Sequence, residues 1–81
     1  MITKKYVAVV ARFSLEGELT PLSVEWEDGR QFEIDRVVDI RRAASLKAGG
    51  MGWRFTVRIR RQETYLYYDL CERKWFVEAK E

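Results

Sequence analysis

The sequence contains no histidine, and this absence excludes more than any motif in it suggests. Without histidine, neither Ser–His–Asp catalysis nor a Cys–His pair can operate. Cys71 is the only cysteine, so the chain cannot assemble the usual four nitrogen and sulfur ligands of a zinc site. We therefore expect no catalytic residue, no metal site and no cofactor, and we predict that the protein is not an enzyme.

The single Cys71 also excludes an intrachain disulfide, which favours a reducing compartment. Long apolar runs are lacking as well. The run that starts at Tyr6 ends at Arg12, far short of the roughly 18 apolar residues that span a membrane. The first residues do not have the pattern of a signal peptide. We expect a cytoplasmic protein without a membrane partner.

A chain of 81 residues is near the lower size at which a hydrophobic core sustains a fold without disulfides or metals. Apolar residues make up 47% of it, which is too much for a disordered segment. It has neither an internal repeat nor a low-complexity tract. We predict a single domain over residues 1–81 whose core needs most of the large apolar side chains.

Apolar and polar residues alternate along most of the chain, which is typical of half-buried β-strands. The alternating stretches are 6–13, 22–26, 32–40, 53–60, 65–70 and 74–77. About six antiparallel strands, joined mostly by short turns, predict an all-β fold, either a meander or a small SH3-like barrel. Residues 41–52 break the alternation. We predict a loop there, with room for one short helical turn near residues 42–48.

The clearest hairpin turns at Asp28-Gly29, and its register follows from which residues it opposes. A two-residue turn would place Val24 opposite Glu33, an apolar side chain against a polar one. A three-residue loop places Val24 opposite Phe32 and keeps one face apolar. We predict this second register, with Gly29 in the left-handed conformation of a type I turn followed by a bulge.

Two further turns are predicted in the C-terminal half. A four-residue loop over residues 61–64 would place Ile59 opposite Leu66. A last turn near residues 72–73 would place Leu70 opposite Trp75. The predicted core includes Trp26, Phe32, Trp53, Phe55 and Trp75.

Charge is distributed unevenly. Residues 40–62 hold seven basic residues and no acidic one, whereas the segments on either side are net acidic. In the predicted register, Arg58 opposes Tyr67 and Arg60 opposes Tyr65 on the outward face. Guanidinium groups that contact phosphates, beside rings that stack on bases, are typical of a surface for single-stranded DNA or RNA. The candidate residues are Arg41, Arg42, Lys47, Arg54, Arg58, Arg60, Tyr65 and Tyr67.

Other interpretations of these features stay open. Arginine stacked on tyrosine across two strands is also an ordinary solvated β surface. The alternative function is a protein–protein interaction or homodimerisation module, which would use exposed apolar residues such as Tyr6, Val37 or Phe76. We expect a monomer or a weak dimer. The glycine-rich segment 47–52 lacks the P-loop pattern and is interpreted as a linker.

The layout of residues 20–79 also resembles a known family. The resemblance is carried by Pro21, Trp26, Gly29-Arg30, the alternation through Val38, Arg54-Phe55-Thr56-Val57, the stretch from Leu66 to Asp69, and Trp75. This spacing is similar to that of small uncharacterised bacterial β-rich domains, some of them encoded beside or fused to Y-family DNA polymerases. The resemblance brings no catalytic motif, and it implies a context of DNA transactions.

Overall fold

The computed structural model describes residues 2–44 and 51–80, and within them the protein is all-β, as predicted. Seven strands form one antiparallel sheet. The strands are β1 (Ile2–Phe13), β2 (Leu19–Glu25), β3 (Gln31–Glu33), β4 (Arg36–Ala44), β5 (Met51–Ile59), β6 (Gln62–Asp69) and β7 (Lys74–Lys80). No helix in this part of the chain is long and apolar enough to cross a membrane.

The order of the strands across the sheet is β3-β2-β1-β7-β6-β5-β4. Its two end strands, β3 and β4, are consecutive in the chain and are separated only by Ile34 and Asp35. The N–H of Ile34 donates to the carbonyl of Leu22 in β2 at 2.9 Å, and the N–H of Asp35 donates to the carbonyl of Arg58 in β5 at 2.8 Å. Because one short segment pairs with both ends, the sheet curls into a half-barrel.

The core fills the concave side of this half-barrel. Val24, Phe55, Val57 and Leu66 are buried there. The partly buried residues packed against them are Val7, Val9, Leu19, Ile34, Val37, Trp53, Ile59, Tyr68, Trp75 and Val77. Of the aromatic residues predicted for the core, Phe55 is buried and Trp53 and Trp75 pack beside it, whereas Trp26 and Phe32 are half-buried.

The predicted register of the first hairpin is confirmed. Val24 opposes Phe32, and the N–H of Trp26 donates to the carbonyl of Arg30 at 2.8 Å. Gly29 has a φ of +87°, the left-handed conformation that the loop requires. The Asp28 carboxylate accepts a hydrogen bond from the N–H of Arg30 at 3.0 Å and so stabilises the turn.

Two details of the predicted strand layout are corrected. The third predicted strand is two strands, because the chain changes its pairing partner at Ile34-Asp35, and this raises the number to seven. The loop predicted over residues 41–52, with its short helical turn near residues 42–48, is wrong for residues 41–44 and 51–52, which belong to β4 and β5. There Arg42 opposes Trp53 and Ala43 opposes Gly52, and this pairing overrides the helix propensity of the alanines. Residues 45–50 lie outside the described residues.

The register predicted for β5 and β6 is wrong by four residues. Ile59 opposes Gln62 rather than Leu66, and the turn consists of Arg60 and Arg61 alone. Both have left-handed backbones, with φ of 49° and 66°. A two-residue turn of this kind matches the twist of the strands, but it normally carries asparagine or glycine, so two arginines do not predict it. Because four is an even number, every side chain keeps its predicted face.

The last turn is longer than predicted, since residues 70–73 lie between the paired Asp69 and Lys74. Tyr68, not Leu70, opposes Trp75. One oxygen of the buried Asp69 carboxylate accepts the N–H groups of Cys71 and Glu72 at 2.8 and 3.1 Å. Aspartate commonly organises a turn in this way, and this turn leaves Leu70 43% exposed.

The conformation of Gly29 predicts the effect of replacing it. Apart from its chain neighbours, no atom lies within 4 Å of the position that a Cβ would take, so the cost of a side chain is that of the backbone alone. Gly29→Val should lower the free energy of unfolding by about 1–2 kcal/mol. Gly29→Asn should lower it less, because asparagine tolerates the left-handed region. Urea unfolding measures both, and a valine variant as stable as the wild type would contradict the turn.

Candidate nucleic-acid interface

One row of side chains crosses the convex face of the sheet, the face turned away from the core. Its members, each opposite the next on neighbouring strands, are Arg41, Arg54, Tyr67, Phe76 and Tyr6. Directly opposed residues of neighbouring strands share a face. The row therefore places the bases of β4 and β5 beside the aromatic residues of β6, β7 and β1.

The aromatic half of the row packs as a small cluster of its own. Phe76 is only 3% exposed, although it lies outside the main core. Its ring stacks on that of Tyr67 at 5.0 Å with an angle of 6°, and Tyr6 meets it edge-on at 6.2 Å. The Lys4 ammonium lies 4.6 Å from the centre of the Phe76 ring. The expectation that Phe76 is an exposed contact residue is therefore wrong.

The basic and aromatic halves meet where Arg54 lies against Tyr65. The Arg54 guanidinium is 4.5 Å from the centre of the Tyr65 ring, and Tyr65 is 47% exposed. The Nε of Arg54 is buried, and within the described residues it has no hydrogen-bond partner. The ring holds the cation in place while leaving the outer part of the tyrosine accessible.

Tyr67 is fixed by a carboxylate on the neighbouring strand. Its hydroxyl donates to an oxygen of Glu78 at 2.8 Å. Burial, followed by the hydrogen bond to Glu78 and the charge of that carboxylate, raises the pKa of Tyr67 to about 12. Tyr67 thus stays a neutral donor and supports the ring of Phe76.

The outer bases of this face carry exposed ion pairs. Arg41 contacts Asp39 at 2.8 Å, and Arg58 contacts Glu63 at 3.3 Å. Exposed pairs of this kind contribute about 0–1 kcal/mol. Since they are so weak, a phosphate can replace the carboxylate at little cost.

The structure separates the other predicted site residues from this face. Arg42 opposes Trp53 on the concave side, with its guanidinium 5.4 Å from the centre of a Trp53 ring. Arg60 lies in the β5–β6 turn, 4.9 Å from the centre of the Phe32 ring. The predicted pairs Arg58–Tyr67 and Arg60–Tyr65 are wrong, because the tight turn shifts the register. Lys47 lies outside the described residues.

Of the predicted set, the convex face keeps five members, namely Arg41, Arg54, Arg58, Tyr65 and Tyr67. It also holds a base that sequence reasoning missed, since Arg36 opposes Arg58. Alternation over the predicted strand 32–40 places Arg36 on the apolar face, whereas the break between β3 and β4 and the bulge between Val37 and Asp39 put it on the convex face.

A second feature was not predicted at all. A cleft of about 490 Å³ opens between β2–β3 and β6–β7. Its lining residues are Val24, Trp26, Arg30, Phe32, Val57, Ile59, Arg60, Gln62, Thr64, Tyr65, Leu66, Val77 and Glu78. It depends on the register between β6 and β7, which alternation alone does not determine.

Within the residues described, no three histidine, cysteine or carboxylate side chains are grouped as metal ligands would be. Comparison of the chain with protein-family models, with curated proteins and with solved structures finds no match. The resemblance to the small bacterial domains therefore stays a prediction.

The raised pKa of Tyr67 predicts a dependence of stability on pH. The pKa lies above its ordinary value of 10.0 and reaches about 12, so the stabilisation by the neutral phenol is complete below pH 10 and is lost as the pH rises towards 12. Tyr67→Phe should cost about 1 kcal/mol at neutral pH. Its deficit relative to the wild type should shrink over that alkaline range.

The measurement is urea unfolding of both proteins on either side of pH 10. Tyr65→Phe is the matched control, because within the described residues its hydroxyl has no hydrogen-bonded carboxylate. A deficit of Tyr67→Phe that stays constant with pH, or an equal response of the control, would contradict the role of Glu78.

Proposed function

We propose that this protein is a small non-enzymatic module that binds single-stranded nucleic acid, in the cytoplasm and without a cofactor. The proposed contact surface is the convex face of β4, β5 and β6. One observation carries the proposal: the guanidinium of Arg54 lies 4.5 Å from the centre of a half-exposed tyrosine ring. This is the pairing of charge and stacking platform that single-stranded ligands use.

The surrounding charges favour the same ligand. Arg36, Arg41 and Arg58 flank Arg54 on the outward side of β4 and β5. Their carboxylate neighbours, Asp39 and Glu63, form only exposed ion pairs with them. A phosphate backbone that replaces these carboxylates gains Coulombic attraction and releases its own counterions.

The stacking surface limits how the ligand binds. The rings of Tyr67 and Phe76 stack on each other, so their faces are already used. Tyr65 and Tyr6, which are 47% and 48% exposed, remain accessible. We infer that bases stack at the edge of the aromatic cluster, beside Tyr65, and that phosphates follow the bases of β4 and β5. Such stacking discriminates little between sequences.

The alternative, a protein–protein interaction or homodimerisation module, is favoured by a different observation. Val10, Phe13 and Leu22, on β1 and β2, are 56%, 70% and 45% exposed. Large apolar side chains left exposed on two neighbouring strands of a small domain can form a contact surface. A dimer that is insensitive to salt in light scattering, together with no affinity for nucleic acid, would favour this alternative.

A salt titration tests the proposed function. Labelled oligothymidine and oligouridine should both bind at low salt, and the affinity should fall steeply as salt is added. Arg58→Glu should weaken binding and reduce the magnitude of the salt slope by about 0.7, the contribution of one phosphate contact to a single strand. Arg12→Glu changes an exposed base of β1 by the same charge and is the matched control.

The control should bind nearly as well as the wild type. Absence of binding at low salt would overturn the proposal. Equal weakening by Arg12→Glu and Arg58→Glu would also overturn it, because the affinity would then depend on the net charge of the protein and not on this face. Circular dichroism of each variant verifies that the sheet is intact.

A further inference from the structure

The ladder between β6 and β7 is unusually short. It consists of the pairs Tyr67–Phe76, Tyr68–Trp75 and Asp69–Lys74. Beyond it, residues 62–66 of β6 pair only with β5, and residues 77–80 of β7 pair only with β1. Among the described residues, these two facing edges therefore carry backbone N–H and C=O groups without a partner strand.

The cleft lies in this opening. Thr64, Leu66 and Val77 line it from the concave side, and Tyr65 and Glu78, which point to the other face of the same strands, line it too. A cleft that contacts both faces of two neighbouring strands passes between them. The opening thus exposes two strand edges together with an apolar interior.

The interior of the cleft is apolar, and its charged lining residues are two arginines and the carboxylate of Glu78. Trp26, Phe32, Ile59 and Val77 are the partly exposed apolar residues of its lining, and the buried Val24, Val57 and Leu66 lie beneath them. At the rim, the guanidinium groups of Arg60 and Arg30 lie 4.9 and 5.5 Å from the centre of the Phe32 ring.

The two rim arginines differ in their partners. Arg30 is paired with Asp28 at 2.7 Å, whereas Arg60 has no carboxylate within 4.0 Å among the described residues. Arg60 is also held in a left-handed backbone, with a φ of 49°. The two-residue turn requires this conformation and fixes the position of Arg60 at the rim. A free cation at the mouth of an apolar cleft is complementary to a carboxylate.

We propose that the opening between β6 and β7 is a β-augmentation site for an extended acidic segment of a partner protein. The segment adds as a strand to the free edge of β6 at residues 62–66. Its alternate apolar side chains enter the cleft towards Ile59 and Val77. A carboxylate on the segment meets Arg60 in a charge-assisted hydrogen bond.

The unpaired edges decide for a peptide over a nucleic acid. An extended peptide presents N–H and C=O groups at the same spacing as the edge that it joins, and a phosphate backbone does not. The apolar interior also has no use for phosphates. This site is separate from the convex face and does not depend on the proposed function.

The probe is a synthetic peptide with blocked ends in which valine alternates with glutamate. It should bind saturably, change the fluorescence of Trp26 in the cleft wall, and slow amide exchange at residues 62–66. Arg60→Glu should weaken binding roughly tenfold. Arg61→Glu should leave the affinity close to that of the wild type, because Arg61 shares the turn, charge and left-handed backbone but does not line the cleft.

Two control peptides separate the contributions. Replacing glutamate by lysine should abolish binding through repulsion by Arg60. N-methylation of both the valines and the glutamates keeps the charge but removes the N–H donors towards β6 whichever way the segment runs, and should also abolish it. Arg58→Glu, on the convex face, should not change the affinity for the peptide.

Four results would overturn the proposal. Three concern the peptide alone: no binding of the glutamate peptide, equal binding of its N-methylated form, or equal weakening by Arg60→Glu and Arg61→Glu. The fourth is that oligothymidine displaces the peptide from the wild type and displaces it as effectively from Arg58→Glu. The last result would assign the cleft to nucleic acid.

Discussion

Two backbone hydrogen bonds from adjacent residues hold this sheet in its curled form. The N–H of Ile34 points to β2, which lies beside the end strand β3, and the N–H of Asp35 points to β5, which lies beside the other end strand, β4. Adjacent N–H groups of an extended chain point to opposite sides, so a single segment can serve both. This link gives the sheet an inside, where Val57 and Leu66 are buried, and an outside that carries charge.

Both candidate surfaces follow from that curl. The basic block falls on the β4–β5 hairpin, and the ladder to β6 places its arginines beside tyrosines on the convex face. On the other side, β7 leaves β6 after Phe76 to stay paired with β1, and this divergence opens the cleft. The two surfaces have different chemistry, since one offers charge and rings and the other offers strand edges around an apolar interior.

Alternation was enough to predict the all-β fold and the Gly29 hairpin, because burial of one face selects the register. Alternation did not give the face of every side chain. Val37 was predicted to be exposed, and this is wrong, because a bulge between Val37 and Asp39 turns it to the core opposite Val57. Nor was alternation enough for the later turns. Arg60 and Arg61 take left-handed backbones that arginine seldom adopts, and Asp69 organises a turn through its carboxylate. Phe76 was predicted to be exposed because alternation identifies faces, whereas its burial comes from Tyr67 and Tyr6 on that outer face.

The most direct test of this account is hydrogen exchange at the amides of Ile34 and Asp35, followed by NMR. If one segment joins both ends of the sheet, the two amides should exchange only as fast as that of Leu66 in the core, through global unfolding. If the Asp35 amide exchanges much faster than the amides of Ile34 and Leu66, then β4 is not held to β3 through this link, and the curled sheet is contradicted.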